Sequence, residues 1–133
     1  MSGQTVIPYA ILKSAGAAID FYKRAFGATE IMRHADAGGR VRHAEIQIGN
    51  SKIMLVDEFS DEYPDMRSVQ SLGGSPIQIF LSIDNADAWM NRAVAAGATV
   101  KMAVSNQSYG RSGGVTDPFG FVWWLCSELP ATA

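Results

Sequence analysis

Hydrophobic and polar positions divide the chain into two stretches in which strand and helix periods follow in the same order. Thr5 to Leu12 is a short apolar run, too short for a helix and closed by Lys13-Ser14-Ala15-Gly16, so it reads as a strand. Ala17 to Phe26 sets Ile19, Tyr22, Ala25 and Phe26 at helical spacing, with Lys23 and Arg24 in the last turn and Gly27 at the terminating position. An amphipathic helix is predicted there. Thr29 to His34, Arg40 to Ile48 and Lys52 to Asp57 predict three strands, separated by Gly38-Gly39 and Gly49-Asn50. Phe59 to Ser75 has no period and carries turn formers, so it reads as a connection. Beyond it, Pro76 to Ile83 predicts a strand and Asp84 or Asn85 a helix cap. Ala86 to Ala96 predicts a helix with Trp89, Ala93 and Ala96 on one face before Gly97. Val100 to Val104, Gly113 to Thr116 and Phe121 to Cys126 complete the strands.

The two stretches are a repeat. Gly27-Ala28-Thr29 recurs as Gly97-Ala98-Thr99, 70 positions later, each closing a helix and opening a strand. The same offset lays Tyr9 to Leu12 on Ile79 to Ser82, and Lys52 to Val56 on Val122 to Cys126. The expected organisation is one domain over residues 1–133: a first βαβββ module over about 4–58, a connection over about 59–75 and a second module over about 76–128.

Composition narrows the function. Hydrophobic residues make up 47% of the 133, enough for one core, and charged residues only 18%, which is not the composition of a disordered chain. A net charge of -2 lacks the basic excess of a phosphate-backbone binder, so no nucleic-acid partner is expected. Every apolar run is broken well short of the ~20 residues a membrane helix needs, so no membrane partner is expected. Cys126 is the single cysteine, and Met1 to Pro8 has neither a basic region nor a long apolar run; both suggest a reducing, cytoplasmic setting.

Pro8-Tyr9-Ala10-Ile11-Leu12, the helix from Ile19 to Gly27, the strand His43 to Gly49 and the closing Asp117-Pro118-Phe119-Gly120 together resemble the glyoxalase, bleomycin-resistance and extradiol dioxygenase superfamily, the vicinal oxygen chelate fold. The resemblance covers nearly the whole chain. It implies an α+β fold in which two tandem βαβββ modules form a curled-sheet cleft for a small molecule, commonly in a homodimer. Enzymes of the superfamily usually hold one divalent metal with His and Glu from the first and last strand of each module. By resemblance these positions fall on Pro8, Met54, Gln78 and Trp124, of which only Gln78 can donate to a hard cation. Neither a metal nor another cofactor is therefore expected. A displaced set drawn from His34, His43, Glu45, Asp57 and Glu58 remains an alternative.

Strand alternation sorts the remaining candidates. Ile77, Ile79, Leu81 and Ile83 form an apolar row expected beneath the helices, together with Phe121, Trp123 and Leu125. Gln78, Phe80 and Ser82, with Val122, Trp124 and Cys126, face the cleft; by the repeat so do Met54 and Val56. Val41, His43, Glu45 and Gln47 are expected on the cleft face of their strand, with His43 and Glu45 as a hydrogen-bonded pair. Tyr109 and Arg111 stand in a glycine-rich segment at the mouth of the cleft or in a hairpin. The set suits a planar aromatic guest stacked on Trp124 and Phe80, with Met54 closing the gap. The leading expectation is thus a metal-independent binder resembling the drug-sequestering branch. The alternatives are an enzyme, either through a non-standard metal set as a lyase, isomerase or dioxygenase or by acid-base chemistry at His43 and Glu45, and a protein whose cleft is filled by its own side chains.

Overall fold

A computed structural model describes residues 3–131 of the chain. Met1 and Ser2, where the segment read as lacking a leader begins, lie outside the described residues, as do the last two. The elements run β1 (Tyr9–Leu12), α1 (Ala15–Phe26), β2 (Thr29–Ala35), β3 (Val41–Ile48), β4 (Ser51–Asp57), α2 (Val69–Leu72), β5 (Ile79–Ser82), α3 (Ala86–Ala96), β6 (Thr99–Gln107), β7 (Gly110–Thr116) and β8 (Val122–Ser127). They form two four-stranded sheets of equivalent order, β1-β4-β3-β2 and β5-β8-β7-β6. In each sheet the first strand pairs parallel with the last, and the remaining pairs are antiparallel. This is the expected α+β architecture.

In both modules the end of the last strand serves the start of the helix. The last residue of β4, Asp57, accepts from the Ala15 N–H at 2.6 Å, and the last residue of β8, Ser127, accepts from the Ala86 N–H at 3.1 Å. Each satisfies an otherwise orphan donor in the first turn of its helix. The Asp57 acceptor also explains why α1 begins at Ala15 rather than at the expected Ala17. At the other end Gly27, at φ 67°, donates back to Lys23, and a left-handed residue of this kind favours glycine.

The repeat has a one-residue step that a single offset does not capture. The helix starts Ala15 and Ala86 differ by 71 positions, whereas the helix ends Phe26 and Ala96 differ by 70. Upstream of the helix ends the modules therefore correspond at 71. Tyr9, paired with Met54, matches Phe80, paired with Trp124.

Three further expectations are corrected. Thr5 to Pro8 is not strand: the Pro8 carbonyl accepts from Met54 N–H, but Pro8 has no N–H to return, so pairing begins at Tyr9. β5 likewise begins at Ile79, because the Ser75 hydroxyl accepts from Ile77 N–H and donates to Ile77 C=O, curling the chain so that Ile77 is 73% exposed instead of lying beneath a helix. Val41 is buried in the core rather than facing the cleft. Ala35 pairs with Val41 and His34 with His43, so Arg42 is an extra residue, a bulge that restores Val41 to the core side. The Gly110–Gly114 segment is a longer β7 than expected, and the connection holds the short α2, whose N-terminus is capped by Ser68.

The core lies on the helix side of both sheets. Phe26 of α1 stacks on Trp89 of α3 at 6.2 Å and meets Trp123 of β8 at 4.5 Å, while Ile46 and Leu55 close the first sheet from below. Both sheets thus spend one face on the helices and turn the other outward.

Candidate functional site

The outward face of the second sheet carries an aromatic platform. Phe80 and Trp124 are register partners on neighbouring strands, and Phe80 remains 57% exposed. Trp124 is half-buried and its indole N–H donates to Gln78 Oε1 at 2.8 Å. Its ring lies on Gly114, where a Cβ would meet Trp124 Cε3 and Cζ3 at 2.7 Å, so the absence of a side chain there seats the indole. Adjacent Trp123 goes to the opposite face and is 1% exposed. Alternation is unbroken through β8, as expected.

The outward face of the first sheet is polar. His43 Nε2 lies 3.0 Å from Glu45 Oε2, and Lys52 Nζ lies 3.1 Å from Glu45 Oε1. The hydrogen bond with His43, then that with Lys52, lowers the Glu45 pKa from its ordinary value and keeps the carboxylate ionised. Tyr9 stands over this group, its ring 6.2 Å from the His43 ring.

A groove of about 770 Å3 brings parts of both faces together. Its walls include Glu45, Lys52 and Met54 from the first module, Phe80 from the second and the segment 5–8 between them. Such a volume falls in the range of small-molecule sites. Of the residues singled out by sequence, Glu45, Met54 and Phe80 line it; Gln78 and Trp124 extend the platform beside Phe80; His43 joins through Glu45. Val56 is 2% exposed and faces a separate cavity of about 300 Å3 with Arg42, Phe59 and Tyr63. Tyr109 sits exposed in the β6–β7 turn, and Arg111 is held by Asp87 at 2.6 Å and by Asn106 at 2.9 Å, neither lining the groove. Lys52 and Tyr9 are additions to the expected set. Lys52 shares the parity of Met54, so alternation could have found it.

The donor set does not suit the superfamily's metal. Under the corrected offset the counterpart of Gln78 is Ile7, not Pro8, and neither residue offers a side-chain donor. Met54 is a soft thioether, Trp124 has no available lone pair, and the Gln78 oxygen is engaged by the Trp124 indole. Among the described residues no group of three or more His, Cys, Asp or Glu side chains is arranged to hold a metal ion.

Residues 10–125 match the family model of the Glyoxalase/Bleomycin resistance protein/Dioxygenase superfamily. The chain belongs to this superfamily. An uncharacterized protein of Mycobacterium tuberculosis is 40% identical over 124 residues, spanning 89% of this chain and 71% of the relative. The X-ray structure of a gene product from Arabidopsis thaliana superposes with a TM-score of 0.73 at 26% identity, covering 94% of this chain and 99% of that one. The structure of TnmS3, an antibiotic binding protein from Streptomyces sp. CB03234, superposes with a TM-score of 0.66 at 22% identity, covering 96% of this chain and 99% of that one. At that identity the likeness is one of fold.

Proposed function

We propose that this superfamily member is a metal-independent binding protein that holds a planar aromatic ligand, such as an antibiotic, by stacking on Phe80 and Trp124. The carrying observation is the platform itself: an exposed phenyl ring beside an indole whose orientation is locked by Gln78 and Gly114. A hydrophobic ring left 57% exposed next to a groove is expected of a contact surface rather than of a core. The Glu45 group would orient polar substituents from the facing wall. Sequestration needs such a surface and no chemistry, and a fold neighbour described as an antibiotic binding protein supports the reading. In this reading both modules act as one domain in a homodimer in the cytoplasm. The half-exposed Tyr9, which does not line the groove, supports a partner chain that covers it.

A second reading, an acid-base enzyme, is favoured by the 3.0 Å contact of His43 with Glu45. Against it, the hydrogen bonds with His43 and Lys52 lower the Glu45 pKa, away from that of a base poised near neutrality.

Tryptophan fluorescence of metal-stripped protein, titrated with bleomycin, mitomycin and a quinoline-bearing depsipeptide, tests the proposal. Saturable quenching without metal, lost in Trp124→Ala, is the expected result. Binding that appears only when zinc or nickel is restored would overturn it. Sedimentation equilibrium checks the homodimer independently of any ligand.

A further inference from the structure

A second cavity, of about 210 Å3, lies where the two modules meet beneath the connection. Ile11 and Ile53 of the first module, Ile79 and Phe121 of the second, and Val69 and Leu72 of α2 wall it, and Arg67 is its one charged lining residue. An apolar cavity of about 150 Å3 admits benzene, so this one has room for a single ring and a small substituent.

The surroundings of Arg67 define that substituent. Glu58 accepts from Ser68 N–H and from the Ser71 hydroxyl, each at 2.9 Å, and so clamps the start of α2. Arg67 Nε approaches the same carboxylate only to 3.5 Å, longer than a charge-assisted hydrogen bond, and makes no other ion pair among the described residues. The Glu58 carboxylate is satisfied without it. Lys13 adds a further positive charge that acts on Glu58, so Arg67 is not the only cation offsetting that carboxylate. The rim adds two exposed apolar residues, Leu72 at 65% and Ile77 at 73%.

We infer that this cavity between the modules is a binding site for a single-ring aromatic monocarboxylate, its ring held between the β1 and β5 edges and its carboxylate on Arg67. The site shares Pro8, Ile53 and Ile79 with the groove but opens toward the connection, and it does not depend on the ligand proposed for the platform.

The test is a titration of the 15N-labelled full chain with 4-methylbenzoate and with the neutral isostere 4-methylbenzamide, followed by amide shifts. The expected result is saturable movement of Val69, Leu72 and Phe121, with 4-methylbenzamide and Arg67→Gln each weakening binding about tenfold or more, the loss of one charge-assisted pair. Arg67 is half-exposed, so its variant should keep the remaining spectrum. No saturation up to about 10 mM, where binding would be weaker than any useful free energy, would overturn the inference. So would equal affinity for acid and amide, undiminished binding of the acid by Arg67→Gln, or shifts confined to Phe80, Met54 and Trp124.

Discussion

The Tyr22 hydroxyl donates to Asp117 Oδ2 at 2.6 Å across 95 positions of sequence. The bond ties α1 of the first module to the turn that precedes β8 of the second. The Trp123 indole donates to the same oxygen at 2.9 Å, while Phe119 N–H and Phe121 N–H donate to Oδ1 at 2.9 and 3.0 Å. One buried carboxylate thus closes the Asp117-Pro118-Phe119-Gly120 turn and joins the modules.

Tyr22→Phe should lower stability by about 1.5–3 kcal/mol, the range for a buried hydrogen bond to a charged group. Burial, then the charge of Asp117, raises the Tyr22 pKa well above its ordinary value. The folded state therefore keeps a proton that the unfolded chain releases near pH 10, and stability falls as pH rises above about 10. Urea midpoints between about pH 8 and 11 should converge for wild type and variant at the alkaline end; parallel curves would assign the loss to another group.

Asp57→Ala should cost more than Ser127→Ala, although the two stand at equivalent places. Asp57 accepts from both Ala15 N–H and Val41 N–H at 2.6 Å, so its removal strands two buried donors, at about 1–3 kcal/mol each. Ser127 serves only Ala86 N–H, which predicts a loss of about 1 kcal/mol. Denaturant unfolding of the two single variants decides the order.

Gly114→Ala should displace the Trp124 indole, because the new Cβ falls 2.7 Å from its ring carbons. The expected cost is about 1–3 kcal/mol, with a shift of the tryptophan emission and a loss of platform binding. Phe80→Ala should instead leave stability within about 0.5 kcal/mol, as for other exposed positions, while weakening ligand. Equal destabilisation by both would mean that Phe80 is a packing residue.

Acid should loosen the connection before it unfolds the sheets. The Ser68 N–H bond, aided by Ser71 and the nearby Arg67 and Lys13, lowers the Glu58 pKa. The clamp on α2 is therefore intact above the ordinary carboxylate range and is lost as pH falls through the lowered value. The protection factors of the Ser68 and Leu72 amides, the intrinsic exchange rate at each pH divided by the observed one, should fall on acidification, and Glu58→Gln should leave both weakly protected at all pH; pH-independent protection in the wild type would refute the role.

How much of this was legible in the chain varies with the range of the interaction involved. Alternation placed Trp123 and Trp124 on opposite faces and paired His43 with Glu45, because neighbouring side chains on a strand must point to opposite sides. Glycine marked both helix ends, since the terminating backbone conformation favours it. The same local rules misplace Val41 and Ile77: a bulge and a serine-closed turn each interrupt the period, and neither leaves a hydrophobic signature. The step in the repeat escapes for the same reason, as it removes one helical residue while leaving both faces apolar.

The sequence by itself therefore determined the order of the strands and of the two long helices and most of the inward faces, from periods a few residues long and the chemistry of single side chains. The α+β class and the mismatch with the superfamily's metal positions came through the resemblance carried by its motifs. Only the tertiary structure decided that Tyr22 donates to Asp117, that Arg111 is occupied by Asp87 and that a cavity opens beside Arg67. Such relationships join residues tens of positions apart, and packing between modules sets their distances, which no local pattern encodes.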